Sequence, residues 1–233
     1  MNNDPLKYYY NKYGFDFSAI KRIETGKHFI AVVLNNRNLG ICARLSDEIE
    51  TDLSKLKSIN LDSDFHRSVL TAYYNAKLNY GKKISENADI IEDIKSGNYS
   101  SVVMIGYFTS LVRKFNELGI EVPVFDFDAE DVVPIEHQKE YLAKADAVIL
   151  TSTTILNRTF FEVIKNTNPE SDVFIVGPSS TFEAELFVNS NIKKIHGALF
   201  YPEDEKIIEM IKEGKKPKDF LFLAKKVTFD NQQ

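Results

Sequence analysis

The sequence is poor in the side chains that bind soft metals, since its 233 residues include one cysteine, four histidines, three methionines and no tryptophan. The single thiol, Cys42, excludes an internal disulfide framework. Because no Cys-x-x-Cys pair occurs, zinc ribbons and iron–sulfur clusters held by thiolates of this chain are excluded as well. The dispersed histidines add little, so the sequence predicts no metal-ligating residues.

Long apolar runs and large basic patches are also lacking. The longest apolar runs, such as Phe29 to Leu34, are far too short to cross a bilayer, and the first ten residues lack the apolar core of a signal peptide. Twenty-nine Lys and Arg stand against 34 Asp and Glu, a formal charge of −5, and the basic stretches are short or interrupted. We therefore expect a cytoplasmic protein with no nucleic-acid partner and no membrane partner.

The first 86 residues have the pattern of a small α+β domain. The run from His28 to Leu34 is rich in β-branched and aromatic residues, and a second apolar run from Leu39 to Leu45 follows the turn-forming pair Asn35–Asn36. This pattern predicts a β-hairpin. From Asp64 to Tyr80, apolar side chains recur at helical spacing and predict a helix.

From Ser100 onward, short apolar runs alternate with amphipathic stretches, and five successive βα units predict a Rossmann-like α/β domain with a doubly wound parallel sheet. We place the boundary near Asn87, in an acidic helical stretch, so the predicted domains are residues 1–86 and 87–233. The predicted strands are Ser101–Ile105, Glu121–Phe125, Ala145–Leu150, Asp172–Val176 and Lys194–Leu199. The predicted helices are Phe108–Leu118, Ile135–Ala143, Asn157–Asn166, Thr181–Asn189 and Glu203–Glu213.

The loops after the parallel strands should meet at one edge of the sheet, where α/β proteins bind their ligands. Gly106, Tyr107 and Phe108 follow the first strand, where a dinucleotide-binding fold has three glycines. The two aromatic residues disfavour a bound pyrophosphate, but Asp126, 20 residues after Gly106, could accept hydrogen bonds from a ribose. These residues are therefore compatible with a nucleoside-like ligand. The alternative is that they bind no ligand, so that Gly106 only forms a turn, the two aromatic residues pack in the core and Asp126 is solvated.

The loop after the third strand is rich in polar side chains. It places six hydroxyl or amide side chains directly after an apolar strand, whereas capping a helix needs only one or two of them. Such a loop can bind an anionic or polyhydroxylated ligand, and a purely structural turn is the alternative. The candidate ligand-binding residues here are Thr151, Ser152, Thr153, Thr154, Asn157 and Thr159.

The fourth and fifth strands end in further candidate residues. Gly177, Pro178 and Ser179 turn the chain at the end of a buried strand and are expected to line the same crevice. They do not form a Gly-x-Ser-x-Gly elbow, so covalent serine catalysis is not predicted. His196 and Asp126 are the candidate catalytic residues for proton transfer, although a structural histidine is the more common case.

The predicted helix of the first domain carries a polar stripe, because Arg67, Thr71 and Asn75 recur at every fourth position. Such a stripe indicates a polar face that could meet the crevice of the second domain, and Asn75 is its candidate ligand-binding residue. An ordinary solvated face is the alternative.

Four segments together resemble a known family in their order, spacing and flanking strands: Val103–Phe108, Ala145–Thr154, Asn157–Thr159 and Val176–Ser180. They resemble DUF364, a family associated with heavy-metal chelation, over roughly residues 100–229. The first domain is similar to the DUF4213 domain that usually precedes it, chiefly through the hairpin and the helix. This resemblance implies an enolase N-terminal-like domain, then a Rossmann-like domain, with a site where they meet.

The resemblance also implies a link to metals through a small chelating molecule related to pterins, flavins or siderophores. Together with the oxygen-rich loops, this favours binding or processing of a chelator or its precursor, in an interdomain cleft, over storage of the metal. The alternative is a noncatalytic protein that sequesters a metal, a metal chelate or a nucleoside-like ligand. A small molecule is the one partner predicted, whereas enzymatic activity, the cofactor and a homo-oligomeric state stay open.

Overall fold

The computed structural model describes residues 4–86, 89–188 and 190–230, which form two sheets. In the first part of the chain, β1, β2 and β3 make an antiparallel sheet in that order, so the predicted hairpin of β2 and β3 is confirmed. The elements of this part are α1 (Pro5–Tyr13), β1 (Ile20–Thr25), β2 (Phe29–Leu34), β3 (Leu39–Ala43), α2 (Asp64–Leu78) and β4 (Ser85–Glu86), with 3-10 turns at Phe17–Ala19 and Leu53–Lys57.

The second part contains the predicted series of βα units, and five neighbouring strands, β6, β5, β7, β8 and β9, run parallel. Its helices are α3 (Ile90–Gly97), α4 (Thr109–Glu117), α5 (Gln138–Lys144), α6 (Thr153–Leu156), α7 (Phe160–Asn166), α8 (Glu205–Lys212) and α9 (Pro217–Phe220). Its strands are β5 (Val102–Ile105), β6 (Val124–Phe125), β7 (Ala147–Thr151), β8 (Asp172–Val176), β9 (Ile192–Leu199) and β10 (Lys225–Asp230), and 3-10 turns lie at Ile135–His137, Ala184–Phe187 and Leu221–Leu223.

The second sheet has the order β4-β10-β9-β8-β7-β5-β6, with β10 antiparallel to both of its neighbours. The chain leaves β5 towards β6 on one side and returns to β7 on the other, so the strand order reverses between β5 and β7. Met104 and Ile149 pack under α3 and α4, whereas Val103 and Leu150 face α5, α7 and the first part. Helices therefore cover both faces, and the predicted doubly wound α/β fold is confirmed.

The helix α2 lies in the interior of the molecule. Every side chain from Phe65 to Ala76 is buried, because one side of the helix packs on the first sheet and another contacts the second part. The polar stripe that contains Arg67 and Asn75 is therefore buried rather than solvated. A helix buried all round needs a partner for each of its polar side chains, and the loops of the second part supply several of them.

The helix of the fifth βα unit covers the first sheet rather than the second. Along β2 the side chains alternate between faces, so Ile30 and Val32 pack on α2, whereas Ala31 and Val33 pack on α8. This double burial explains the unbroken apolar sequence of β2, and it joins the two predicted domains. The strand β4 of the first part also pairs with β10 at the end of the second.

Three predicted elements differ from the structure. Residues 181–188 of the predicted helix Thr181–Asn189 form an irregular loop with one 3-10 turn, and the side chain of Asn79, which follows α2, accepts from Phe182 N at 2.7 Å and donates to Ser180 O at 2.9 Å. The predicted helix Asn157–Asn166 begins only at Phe160, because Arg158 adopts a left-handed conformation (φ 68°). The predicted strand Glu121–Phe125 shortens to Val124–Phe125, after a proline that has no amide hydrogen.

The predicted domain boundary at Asn87, like residue 189 of the predicted fourth helix, lies outside the described residues. Within the described part of the chain, no helix is long and apolar enough to cross a membrane.

Candidate functional site

A cavity lies at the carboxyl ends of β5, β6 and β7, where the strand order of the second sheet reverses, and we call it the switch-point cavity. Its volume is about 540 Å³. Doubly wound sheets bind ligands at this position, because the loops on either side of the reversal diverge to opposite faces. Seven of the predicted site residues line the cavity: Gly106, Asp126, Thr151, Thr153, Thr154, Asn157 and Thr159.

Gly106 brings the loops after β5 and β7 together. Its φ of 95° favours glycine, and a Cβ there would lie 2.7 Å from the Cβ of Thr151. A side chain at this position would force the two loops apart. The one glycine in this loop is thus needed for the contact between neighbouring loops, which is a different role from binding a pyrophosphate.

Asp126 organises the loop after β6. Its Oδ2 accepts a hydrogen bond from Tyr107 N at 2.8 Å, and its Oδ1 accepts from the backbone amides of Asp128 and Ala129 at 2.9 and 3.0 Å. A carboxylate has about four lone-pair sites, so roughly one remains for a ligand. Asp126 lines the cavity while holding its neighbours in place.

The loop at the end of β7, residues 151–159, contains four threonines, and we call it the threonine-rich loop. Its hydroxyl groups form an ordered hydrogen-bond network. The Oγ1 atoms of Thr151 and Thr153 lie 2.9 Å apart, and Thr154 Oγ1 donates to Thr151 O at 2.7 Å. Asn157 Oδ1 accepts from both the backbone amide and the hydroxyl of Thr159, at 3.2 and 2.7 Å, just before α7 begins. These bonds set the orientation of the polar groups that face the cavity.

A buried arginine of the first part donates hydrogen bonds to the backbone of this loop. Arg67 in α2 has no exposed surface, and its guanidinium donates to Leu156 O at 2.7 Å and to Ile155 O at 2.5 Å, which are carbonyl groups at the end of α6. It also pairs with both carboxylate oxygens of Asp4, at 2.6 and 3.0 Å. Asp4 in turn accepts from Leu6 N as the cap of α1. The loop geometry therefore depends on a residue outside the second sheet.

A second arginine reinforces the connection between the two parts of the chain. Arg158, in the threonine-rich loop, bonds to Asp64 Oδ1 at 2.9 Å and to the carbonyl oxygens of Leu61 and Asp62 at 3.0 Å. Like Arg67, it fixes the loop across the interface.

Asn75, predicted to bind a ligand, is engaged within the protein instead. Its Nδ2 donates to Ile41 O at 2.9 Å, and its Oδ1 accepts from Thr181 Oγ1 at 2.6 Å. The predicted Ser179 is similarly buried, and its Oγ accepts from Ala43 N at 2.9 Å. These residues join the two parts at a packed interface, and neither lines the switch-point cavity.

The remaining predicted residues lie elsewhere. Phe108, Gly177, Pro178 and His196 line a separate, smaller cavity on the α3–α4 side of the sheet, which we call the second cavity. Tyr107 is exposed and contributes its backbone amide to Asp126, and Ser152 is buried.

Asp126 and His196 do not face a common cavity, which corrects the expectation that they form one acid–base pair. His196 Nε2 instead lies 3.0 Å from Asp93 Oδ2. Burial of Asp93 opposes its ionisation, but the hydrogen bonds from His196 and Lys194 outweigh it and lower the pKa of the Asp93 carboxyl. A single ligand bound in either cavity would thus meet only one of the two candidate catalytic residues.

Several residues of the switch-point cavity were not predicted. Most of them lie in the segment after the short strand β6, in α5 or in α7, where no sequence motif marks them. Phe127, 70% exposed, is at the mouth, and Leu45 is the contribution of the first part. The many acidic residues in the segment after β6 were the sequence signal that could have identified part of this lining. The additional lining residues with polar or charged side chains are Asp128, Glu136, Gln138, Lys139, Glu162 and Asn166.

The charge of the lining is negative, because four carboxylates stand against the single ammonium of Lys139. Among the described residues, no three His, Cys, Asp or Glu side chains are grouped as they would be around a metal ion. Burial raises the pKa of the Cys42 thiol to about 12, so at neutral pH it is neither a nucleophile nor a ready metal ligand.

The comparisons with known proteins agree with this architecture. The family model of DUF364, described as "Putative heavy-metal chelation", matches residues 88–229, more than half of the chain. None of the curated proteins matches the sequence.

Two crystal structures of DUF364-family proteins of unknown function are similar in fold. The protein from Pyrococcus horikoshii has 20% identity and a TM-score of 0.72, over 91% of this chain and 92% of that one. The protein from Desulfitobacterium hafniense DCB-2 has 16% identity and a TM-score of 0.75, over 97% and 96%. The chain therefore belongs to the DUF364 family.

Proposed function

We propose that this protein binds a small polar organic molecule in the switch-point cavity. The observation that carries the proposal is a cavity of about 540 Å³ at the reversal of strand order, lined by the ordered hydroxyl and amide groups of the threonine-rich loop. Its volume falls in the range of small-molecule sites, roughly 300–1,000 Å³. The first part supports this site through Arg67, which fixes the loop, and through Leu45, which reaches the lining.

The ligand we propose is neutral or positively charged. Four carboxylates against one ammonium would repel an anion, whereas hydroxyls and amides can bond to the edges of a polar ring or chain. Within a family described by heavy-metal chelation, a chelator or the precursor of one, of a pterin- or siderophore-like kind, fits this lining better than a bare soft metal ion. The proposed link to metals thus runs through the organic molecule.

A nucleoside-like ligand is the second candidate, favoured by Asp126 at the end of the second parallel strand. Its three backbone hydrogen bonds leave roughly one acceptor site, so it could bind one hydroxyl of a ribose rather than two. Both candidates describe binding, and a noncatalytic role suffices for either because the second proton-transfer residue lies in another cavity.

We also propose that residues 1–86 are a DUF4213-like, enolase N-terminal-like domain. The hairpin of β2 and β3 and the long helix α2 support this assignment. Contacts across the boundary, through α8 and β4, indicate that the two domains fold as one unit.

Native mass spectrometry of the purified protein tests the proposal. We expect an organic molecule of a few hundred daltons to copurify, and we expect Thr153→Val to weaken its affinity about fivefold and so lower the fraction of protein that carries it, since one lost hydrogen bond is worth about 1 kcal/mol. The matched control is Thr51→Val, at an exposed threonine that does not line the cavity, which should retain the molecule. Tightly bound stoichiometric metal without an organic molecule would contradict the proposal.

A further inference from the structure

The second cavity, of about 240 Å³, opens on the face of the sheet opposite the threonine-rich loop. It lies between the carboxyl ends of β8 and β9, the start of α4 and the chain around α9 and β10. Its walls are mainly apolar: Ile90, Phe108, Leu111, Val176, Pro178 and Leu221. A cavity of this size holds the volume of about eight water molecules, which suits a ligand of about ten non-hydrogen atoms.

The alternation of side chains along β9 builds the floor of the second cavity. His196 and Ala198 point towards it, whereas a Cβ on Gly197 would point the other way and lie 2.6 Å from the ring of Phe182. Thr228 stands directly across from His196 on β10 and shares its face. Thr228 Oγ1 is buried and has no hydrogen-bond partner within the described part of the chain.

The charged groups around this cavity divide into paired and unpaired ones. Beneath His196, Asp93 is paired with Lys194 Nζ and His196 itself. At the mouth, Lys114 Nζ lies 3.4 Å from Asp89 Oδ2. Lys226, also at the mouth, has no ion-pair partner among the residues that the structure describes. The free charge of the second cavity is therefore a cation at its mouth.

We propose that the second cavity binds a small apolar molecule that carries one carboxylate. Its apolar body lies against Phe108, Leu111 and Leu221, and its carboxylate lies at the mouth beside Lys226. The opposite orientation is disfavoured, because it would bring the ligand's carboxylate towards the negative charge of Asp93, which is already paired with Lys194 and His196. The ring of His196 lines the deep end of the cavity and can contact a polar substituent there, whereas the buried Thr228 does not line the cavity. This site is independent of the one in the switch-point cavity.

Benzoate is the probe, and benzyl alcohol of nearly the same size is its neutral counterpart. In isothermal titration calorimetry or protein-observed NMR we expect benzoate to bind with millimolar affinity, since so small a ligand makes few contacts. We expect benzyl alcohol to bind at least fivefold more weakly. Equal affinity for the two compounds would overturn the proposal. So would the absence of benzoate binding at a concentration about 20-fold above the expected millimolar dissociation constant.

Two variants locate the site. Lys226→Gln should weaken benzoate binding at least fivefold and leave the affinity for benzyl alcohol unchanged, whereas Lys218→Gln, at another exposed lysine, should alter neither. Ala198→Leu should fill the floor and abolish binding of both compounds, with circular dichroism as the check on its fold. Lys226 is exposed, so its variant should fold normally. Unchanged benzoate affinity in Lys226→Gln would show that the carboxylate does not bind where we place it.

Discussion

The two cavities lie at the same edge of one sheet and yet differ in size, polarity and charge. The switch-point cavity is the larger, lined by hydroxyls, amides and an excess of carboxylates, whereas the second cavity is small, apolar and bordered by lysines. The reason is topological. Helix α4 leaves its strand for one face of the sheet and α7 leaves for the other, so neighbouring loops turn away from each other. In a doubly wound protein, loops that share an edge need not share a site.

The largest effect that we expect comes from removing the arginine that supports only one of the cavities. Arg67→Ala should lower the free energy of unfolding by about 3–5 kcal/mol, because it leaves Asp4 unpaired and two buried carbonyl groups without donors. Urea denaturation measures this loss. Arg113→Ala, at an exposed arginine of α4, is the control and should cost less than about 0.5 kcal/mol.

If the two cavities are independent sites, Arg67→Ala should also weaken ligand binding in the switch-point cavity, while the affinity for benzoate in the second cavity stays unchanged. Equal losses at both sites would mean that the two loops are coupled more closely than their separate positions indicate.

A smaller effect is expected from adding one methyl group between the loops after β5 and β7. Gly106→Ala should cost about 2–4 kcal/mol, because it combines a left-handed backbone with a Cβ that would lie 2.7 Å from Thr151. Gly119→Ala is the matched control, since its φ is also positive (68°) but its Cβ would meet open space, and it should cost about 1 kcal/mol. Thermal unfolding of both variants isolates the close contact, and equal costs would mean that the loops can separate freely.

The pH dependence of stability should report on Asp93, the ion-pair partner of His196, whose ring lines the second cavity. The pKa of Asp93 is lowered in the folded protein, so its contribution is present above the pKa of the unfolded state, about 3.9, and is lost as the pH falls through the folded value. We expect the stability difference between wild type and Asp93→Asn to be largest near pH 7 and to shrink below about pH 4. Denaturant titrations at several pH values measure it, and a difference that grows with acid would contradict the assignment.

The smallest effect concerns the thiol between the two parts of the chain. With its pKa raised to about 12 by burial, Cys42 should react with a disulfide reagent at pH 8 only as fast as the protein unfolds. Labelling of native and urea-unfolded protein compares the two states. Rapid labelling of the native protein would show that one of the cavities opens onto the interface between the two parts of the chain. We do not expect this result, because Cys42 is fully buried.

Much of the fold was predictable because its signals are local. The run Phe29 to Leu34, the helical spacing through α2 and the alternation from Ser100 onward each identify an element by the period of its apolar residues. The errors arose where long-range contacts decide the local structure. The segment after Ser180 has helical periodicity, but it forms a loop whose backbone bonds at Ser180 and Phe182 to the side chain of Asn79, the residue that follows α2.

For the candidate site, the sequence predicted individual residues but not their arrangement in space. The threonine-rich loop and Asp126 were identified from their positions at strand ends, and they do line the switch-point cavity. Asn75 was misleading, because a buried amide that bonds to Ile41 and Thr181 has the same spacing along a helix as one that faces a ligand.

By itself, the sequence determined the family, the doubly wound sheet and the oxygen-rich chemistry of the loops, since each follows from residue types and short spacings. Only the tertiary structure decided that Arg67 supports the threonine-rich loop, that α8 covers the first sheet, and that His196 and Asp126 belong to different cavities. The physical reason is that spacing along a strand or helix sets the face on which a side chain lies, whereas its partner across that face can be a hundred residues away.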